Sequence, residues 1–169
     1  MSLFEKHNAT LTKSIEALHA RTFYAAFPEH PAPAIYGETA DADGQAKFKS
    51  SLGKKFEELK QTGEVGWAGQ EESPYLQEPL KISYPIFSSG TLIEHAKKSF
   101  HVWRKVSIND RTGILMESLE RVKARFFEIA YATMHTTGQG FMMAFQASGP
   151  HAADRALEAI AAGYEELNR

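Results

Sequence analysis

The chain contains no cysteine. That excludes disulfides, thiolate metal sites and a cysteine nucleophile supplied by these residues. Nor does one sign of charge dominate: 19 lysines and arginines stand against 21 aspartates and glutamates, for a formal net charge of −2 at pH 7. Such a balance gives no basic field for nucleic acid or an anionic membrane surface. Long apolar runs are missing as well. The longest, Phe141 to Phe145, is far too short to span a bilayer. The opening MSLFEKHNATL carries Glu5 and Lys6 and lacks the apolar stretch of a secretory signal. What remains is ordinary. With 169 residues, 43% hydrophobic and 24% charged, the chain suits one domain that buries roughly 70% of its unfolded surface, and a cytoplasmic protein is the default expectation.

Apolar periodicity predicts most of the secondary structure. Phe4, His7, Leu11, Ile15 and Leu18 recur at helical spacing behind a capping-box sequence, Ser2-Leu3-Phe4-Glu5, and predict a helix near 2–20. TFYAAFPEHPAPAIYGE, crowded with Pro28, Pro31 and Pro33, reads as an extended, turn-rich crossing. A short helix follows near 40–52, closed by Gly53. Glycines 63, 66 and 69 and prolines 74, 79 and 85 then allow only short strands, at 64–67 and 80–84.

Beyond Pro85 the pattern is helical. A helix near 89–105 has Thr91-Leu-Ile-Glu94 as its capping box and Leu92, Ala96, Phe100 and Trp103 on one face. The next, near 107–135, is opened by Ser107-Ile-Asn-Asp110. Ile108, Leu115, Leu119, Val122, Phe126 and Ile129 form its apolar side, and Glu117 and Arg121 pair four residues apart on its polar side. The last, near 150–167, presents Ala153, Leu157, Ile160, Tyr164 and Leu167. The expected fold class is mainly α with a short β-hairpin region, organised as a turn-rich segment 1–85 and a helical segment 86–169.

Few residues carry a chemical signal. Gly138-Gln139-Gly140 lacks the third glycine of a dinucleotide fingerprint, since Met143 stands there, and it follows a helix, not a strand. A helix ending at Thr137 with Gly138 in a left-handed cap explains it better. Gly53-Lys54-Lys55 has Phe48 at the first glycine of a P-loop and Lys55 at its Ser/Thr. Among seven histidines, His95 and His101 point to different sides of one helix. His151, Asp154 and Glu158 share a helical face and form at best a loose metal trio, more simply a surface patch of ion pairs. The Ser-Gly pairs at Ser89 and Ser148 are helix-start and turn punctuation, not nucleophile elbows. Phe141-Met142-Met143-Ala144-Phe145 is apolar all round, so it is either core or a surface that needs a cover.

LFEKHNATL, FPEHPAPAIYGE and FEIAYATMHTTGQGFMMAFQASGPHAADRALEAI resemble the N-terminal part of the PaaN-type proteins of phenylacetic acid degradation, in the aldehyde dehydrogenase superfamily. The resemblance runs from about Leu3 to Leu167 and is most specific over Met134 to Ala159. It implies the N-terminal portion of an α/β aldehyde-dehydrogenase-like fold, with 86–169 the helical start of the cofactor-binding domain. For the full-length family it implies NAD(P) and oxidation of the semialdehyde formed when the ring of a coenzyme A thioester opens. The superfamily chemistry proceeds through a cysteine thiohemiacetal, hydride transfer and a general-base glutamate. All those groups lie downstream in the family, so the resemblance leaves this chain without catalytic, cofactor-binding or metal residues of its own. The partner it implies is the C-terminal remainder of the family fold, or a second copy through Phe141–Phe145. Three readings stay open: an N-terminal segment of such an enzyme, inactive alone; a free-standing helical interaction or oligomerisation module; and a small enzyme built on His151, Asp154 and Glu158.

Overall fold

The computed structural model describes residues 1–169. Helix α1 (Leu3–Ala20) starts where Ser2 Oγ accepts the Glu5 amide and the Glu5 carboxylate accepts the Ser2 amide, the capping box expected there. The proline-rich crossing is extended except for α2 (Pro33–Tyr36), a single helical turn within the segment read as extended and turn-rich. Pro33 opens it, because the first helical position needs no N–H donor. Helix α3 (Ala40–Ser51) ends before Leu52, which is extended, and Gly53, at φ +71°.

Two small antiparallel pairs follow. β1 (Gly66–Ala68) pairs with β4 (Tyr84–Ile86), placing Trp67 opposite Pro85, and β2 (Glu72–Ser73) pairs with β3 (Glu78–Pro79). The strand expected at 80–84 is displaced. Lys81 adopts a left-handed conformation (φ +54°), which interrupts the pleat between the buried Leu80 and Ile82.

Helix α4 (Ser89–Trp103) begins one turn earlier than its predicted cap. Ser88, not Thr91, is the N-cap, and its Oγ accepts the Thr91 amide at 3.1 Å. The helix predicted over 107–135 is two, α5 (Ile108–Lys123) and α6 (Phe126–Thr137). Arg125 leaves helical geometry between them (φ −117°, ψ 9°), and its guanidinium is held by Glu128 at 2.8 and 2.7 Å and by Glu58. The bend allows adjacent Phe126 and Phe127 both to bury, which neighbours about 100° apart on a straight helix achieve poorly. The buried face of α5 is also rotated from expectation. Thr112, Gly113, Met116 and Leu119 face inward, whereas Leu115 and Val122 are exposed. Close approach sets this face: a Cβ on Gly113 would lie 2.5 Å from the Phe4 amide nitrogen of α1.

Helices α7 (Phe141–Ser148) and α8 (Pro150–Leu167) complete the chain. α1, α5 and α8 pack on one another, and α6 packs on α3 and α7. The main core gathers Leu11, Met116, Phe126, Phe127, Phe145 and Leu157, with the Tyr36 ring 5.5 Å from both Phe127 and Phe145. A smaller core joins Phe48, Leu80, Ile82 and Tyr131. No helix is long and apolar enough to cross a membrane.

Candidate functional site

The glycine motifs serve the backbone. Gly138 closes α6 in a left-handed cap (φ +76°) with its N–H on the Met134 carbonyl at 3.0 Å, as the sequence predicts. The Tyr75 hydroxyl reaches the carbonyls of Gly138 (3.2 Å) and Gln139 (2.7 Å). A phosphate cradle needs free N–H groups aimed at one point, and this turn instead ties two segments together. At Gly53-Lys54 the amides are also engaged, with the Leu80 carbonyl at 3.0 Å and the Ser51 carbonyl at 3.2 Å.

The His151, Asp154 and Glu158 trio does not converge. His151 Nε2 lies 2.8 Å from Glu29, and Glu158 pairs with Arg155 at 2.7 Å. Asp154 corrects the expected surface patch, being only 2% exposed. Its Oδ1 accepts the amides of Ala26 (2.9 Å) and Phe27 (3.3 Å), clipping the crossing segment to α8, while Oδ2 is buried without a partner. Burial pushes this carboxyl above its usual range, and the two amides oppose the shift. His95 lies 3.4 Å from Gln61, and His101 is exposed. No three histidine or carboxylate side chains are placed to hold a metal ion. Ser89 is the first residue of α4, and Ser148, the last of α7, donates to the Ala144 carbonyl.

One buried pair has no local signature in the sequence. Ser73 Oγ accepts the amides of Tyr75 (3.2 Å) and Leu76 (3.1 Å), which occupies both lone pairs. Its hydroxyl proton is therefore directed to His135 Nδ1, 2.6 Å away, and the imidazole carries its proton on Nε2. Phe48 stacks on the His135 ring at 4.7 Å and Tyr75 meets it edge-on at 5.8 Å. Burial lowers the His135 pKa, and the charge of Lys49 lowers it further. A nucleophile needs access to its substrate, but Ser73 is 1% exposed. The pair locks the β2–β3 turn to α6.

Elsewhere, Glu117 collects Lys6 (2.6 Å), His7 (2.9 Å) and Arg121 (3.4 Å). Hydrogen bonds from Lys6 and then His7 hold its carboxyl down to about 2. A cleft of about 480 Å³ opens between α3, α6 and the 54–60 segment, with Phe48, Leu80 and Ile82 among its lining and lysines 54, 55 and 60 beside them. The Phe141–Phe145 run is one-sided, not apolar-covered all round. Ala144 and Phe145 are fully buried and Phe141 half-buried, whereas Met142 and Met143 are 45% and 59% exposed.

No family model matches the sequence, and no curated protein matches it. Among solved structures, the crystal structure of an NAD-dependent aldehyde dehydrogenase from Burkholderia multivorans is similar, with 46% sequence identity and a TM-score of 0.94. The similarity covers 100% of this chain and 30% of that one, so the chain spans less than a third of the enzyme it matches. The helices and short strand pairs described above therefore take the arrangement found in a fragment of an NAD-dependent aldehyde dehydrogenase fold.

Proposed function

We propose that this chain is the N-terminal helical shell of a PaaN-type NAD(P)-dependent aldehyde dehydrogenase, cytoplasmic and acting in aerobic phenylacetate catabolism. Its role there is to scaffold oxidation of the semialdehyde released by ring opening of a coenzyme A thioester. One observation carries the superfamily reading, the 46% identity over the whole chain to an NAD-dependent aldehyde dehydrogenase. The resemblance over Met134–Ala159 supports the finer assignment. On this reading residues 1–85 form the turn-rich N-terminal segment and 86–169 the helical start of the cofactor-binding domain.

The residues present do not fit a dinucleotide. The Gly138–Gly140 turn joins two helices and commits the Gly138 amide to the Met134 carbonyl, and the strands are short and antiparallel. The thiolate route needs a cysteine, and the chain has none. No chemical step runs through these residues, and the chain alone oxidises no aldehyde.

Two assays test this. The isolated chain with aldehydes and either nicotinamide cofactor gives no gain at the reduced-nicotinamide absorbance band. A chimera in which this chain replaces the matched 30% of the Burkholderia multivorans enzyme forms NADH from aldehyde. In that chimera, preference for a coenzyme A-linked semialdehyde over simple aldehydes supports the phenylacetate role. Turnover by the isolated chain, or a folded chimera without activity, overturns the reading. A free-standing helical interaction module is the second reading, favoured by α4, none of whose residues is buried.

A further inference from the structure

Helix α4 has an apolar face that no other helix or strand covers. Leu92, Ala96 and Trp103 share it and are exposed, and no other helix or strand packs closely against α4. At its end, Trp103 belongs to two hollows. One is an open groove of about 1000 Å³ along α4, which includes Leu92 and Val102. The other is a cleft of about 310 Å³ between α5 and α8, lined by Ile108, Leu115, Ile160 and Leu167. Trp103 makes them one continuous surface.

Inside the second cleft stands Arg111. Its Nε is buried and donates to nothing, and its guanidinium forms no ion pair. A desolvated donor on a charged group is unfavourable until an acceptor arrives. A carboxylate fits best, because the planar guanidinium fork matches it with two parallel bonds. Lys60 and Lys98 line the first hollow and Arg111 the second, and neither lining has a carboxylate. A second copy docking through the same face by two-fold symmetry would set cation against cation. The occupant must bring the acid and an apolar surface together.

We propose that the α4–α5–α8 face, anchored by Arg111, docks an apolar segment bearing an aspartate or glutamate, supplied by the rest of the aldehyde dehydrogenase fold. The inference rests on the function proposed above, because the solved relative extends well beyond the 30% of its chain that this sequence covers.

Two substitutions isolate the surface. Arg111→Met removes the charge and keeps an unbranched stem. Gly163→Leu plugs the cleft, since a Cβ there meets nothing within 4 Å. Neither change should lower the melting temperature of the isolated chain. In the chimera described above, amide exchange across α4 should slow at least tenfold relative to the isolated chain, and either substitution should reverse that slowing. An active chimera whose α4 protection is indifferent to both substitutions overturns this inference and leaves the enzyme reading standing. An inactive, folded chimera overturns the enzyme reading and this inference with it. Self-association of the isolated chain that Gly163→Leu abolishes overturns the inference in favour of a second copy. Equal destabilisation of isolated chain and chimera by Arg111→Met makes Arg111 an internal support and also overturns it.

Discussion

Helices α8 and α4 make an instructive pair. Both are amphipathic, of 18 and 15 residues, and both are predicted from the same apolar spacing. Yet α8 buries Ala153, Leu157 and Ala161 against α1, α5 and α7, while α4 buries nothing. The difference lies in what each face offers a neighbour. α8 presents alanines at 3% and 0% exposure, where other helices come close, with Leu157 filling the space between. α4 presents Leu92, Phe100 and Trp103, bulky groups with Ala96 the one small apolar residue between them. Periodicity specifies that a face is apolar. Side-chain size decides which other elements of the same chain can close on it.

The comparison breaks most visibly in the core. Phe145→Ala removes a fully buried ring that meets Tyr36, Phe126 and Phe127, and should destabilise the chain by about 3–5 kcal/mol in denaturant unfolding. Asp154→Ala should cost about 1–3 kcal/mol, because the amides of Ala26 and Phe27 lose their acceptor. The folded-state pKa of Asp154 is raised above 3.8, so its contribution is fully present below that value and falls as pH rises through the folded pKa. The gap between wild type and Asp154→Ala should therefore widen from pH 7 to pH 4 in matched melts.

Glu117 has the opposite sign. Its carboxyl is held at about 2 against a reference of 4.5, so its stabilisation is present above 4.5 and disappears as pH falls toward 2. Glu117→Gln should flatten the stability profile over that window, and an unchanged acid limb would show that the Lys6–His7–Glu117 contact contributes nothing. The smallest effects belong to the uncovered faces. Phe100→Ser on α4, and Met142→Gln or Met143→Gln on α7, should each stay within about 0.5 kcal/mol of wild type, since these side chains are 45–59% exposed. A loss above 1 kcal/mol at any of them would mean that the face is already covered.

Much of the helical framework was legible because its signals are local. The capping serines at 2 and 107 and the glycine at 138 act through neighbours within a few residues, and all three do in the structure what their sequence context predicts. The misplacements came from long-range contacts. At the break, Arg125 pairs with Glu58, 67 residues away, and the rotated face of α5 goes with the close approach of α1. The Ser73–His135 lock joins residues 62 apart, and a lone histidine near a helix end gives no hint of its serine. Asp154 looked like a surface carboxylate because its local spacing to His151 and Glu158 is right for one; the backbone that buries it comes from residues 26 and 27. The absence of cysteine was the most direct chemical statement in the sequence, and no contact alters it.

The glycines inside the helices set rules for how this chain can drift over evolutionary time. A Cβ at Gly44 of α3 would stand 2.3 Å from the Phe127 Cβ and 2.8 Å from the Glu128 amide nitrogen, and at Gly113 it would meet the backbone of α1. Alanine is the better helix former by about 1 kcal/mol, yet at these two places it would wedge apart α3 from α6 and α5 from α1. Selection for helix formation and selection for helix spacing pull against each other there, and spacing wins because the obstructing atoms are mostly backbone. At Gly163, with nothing within 4 Å of the added carbon, the same exchange is sterically free in the isolated chain. Lineages carrying this sequence should therefore hold glycine at 44 and 113 while exploring 163, unless whatever settles into the cleft beside α8 has already claimed that space.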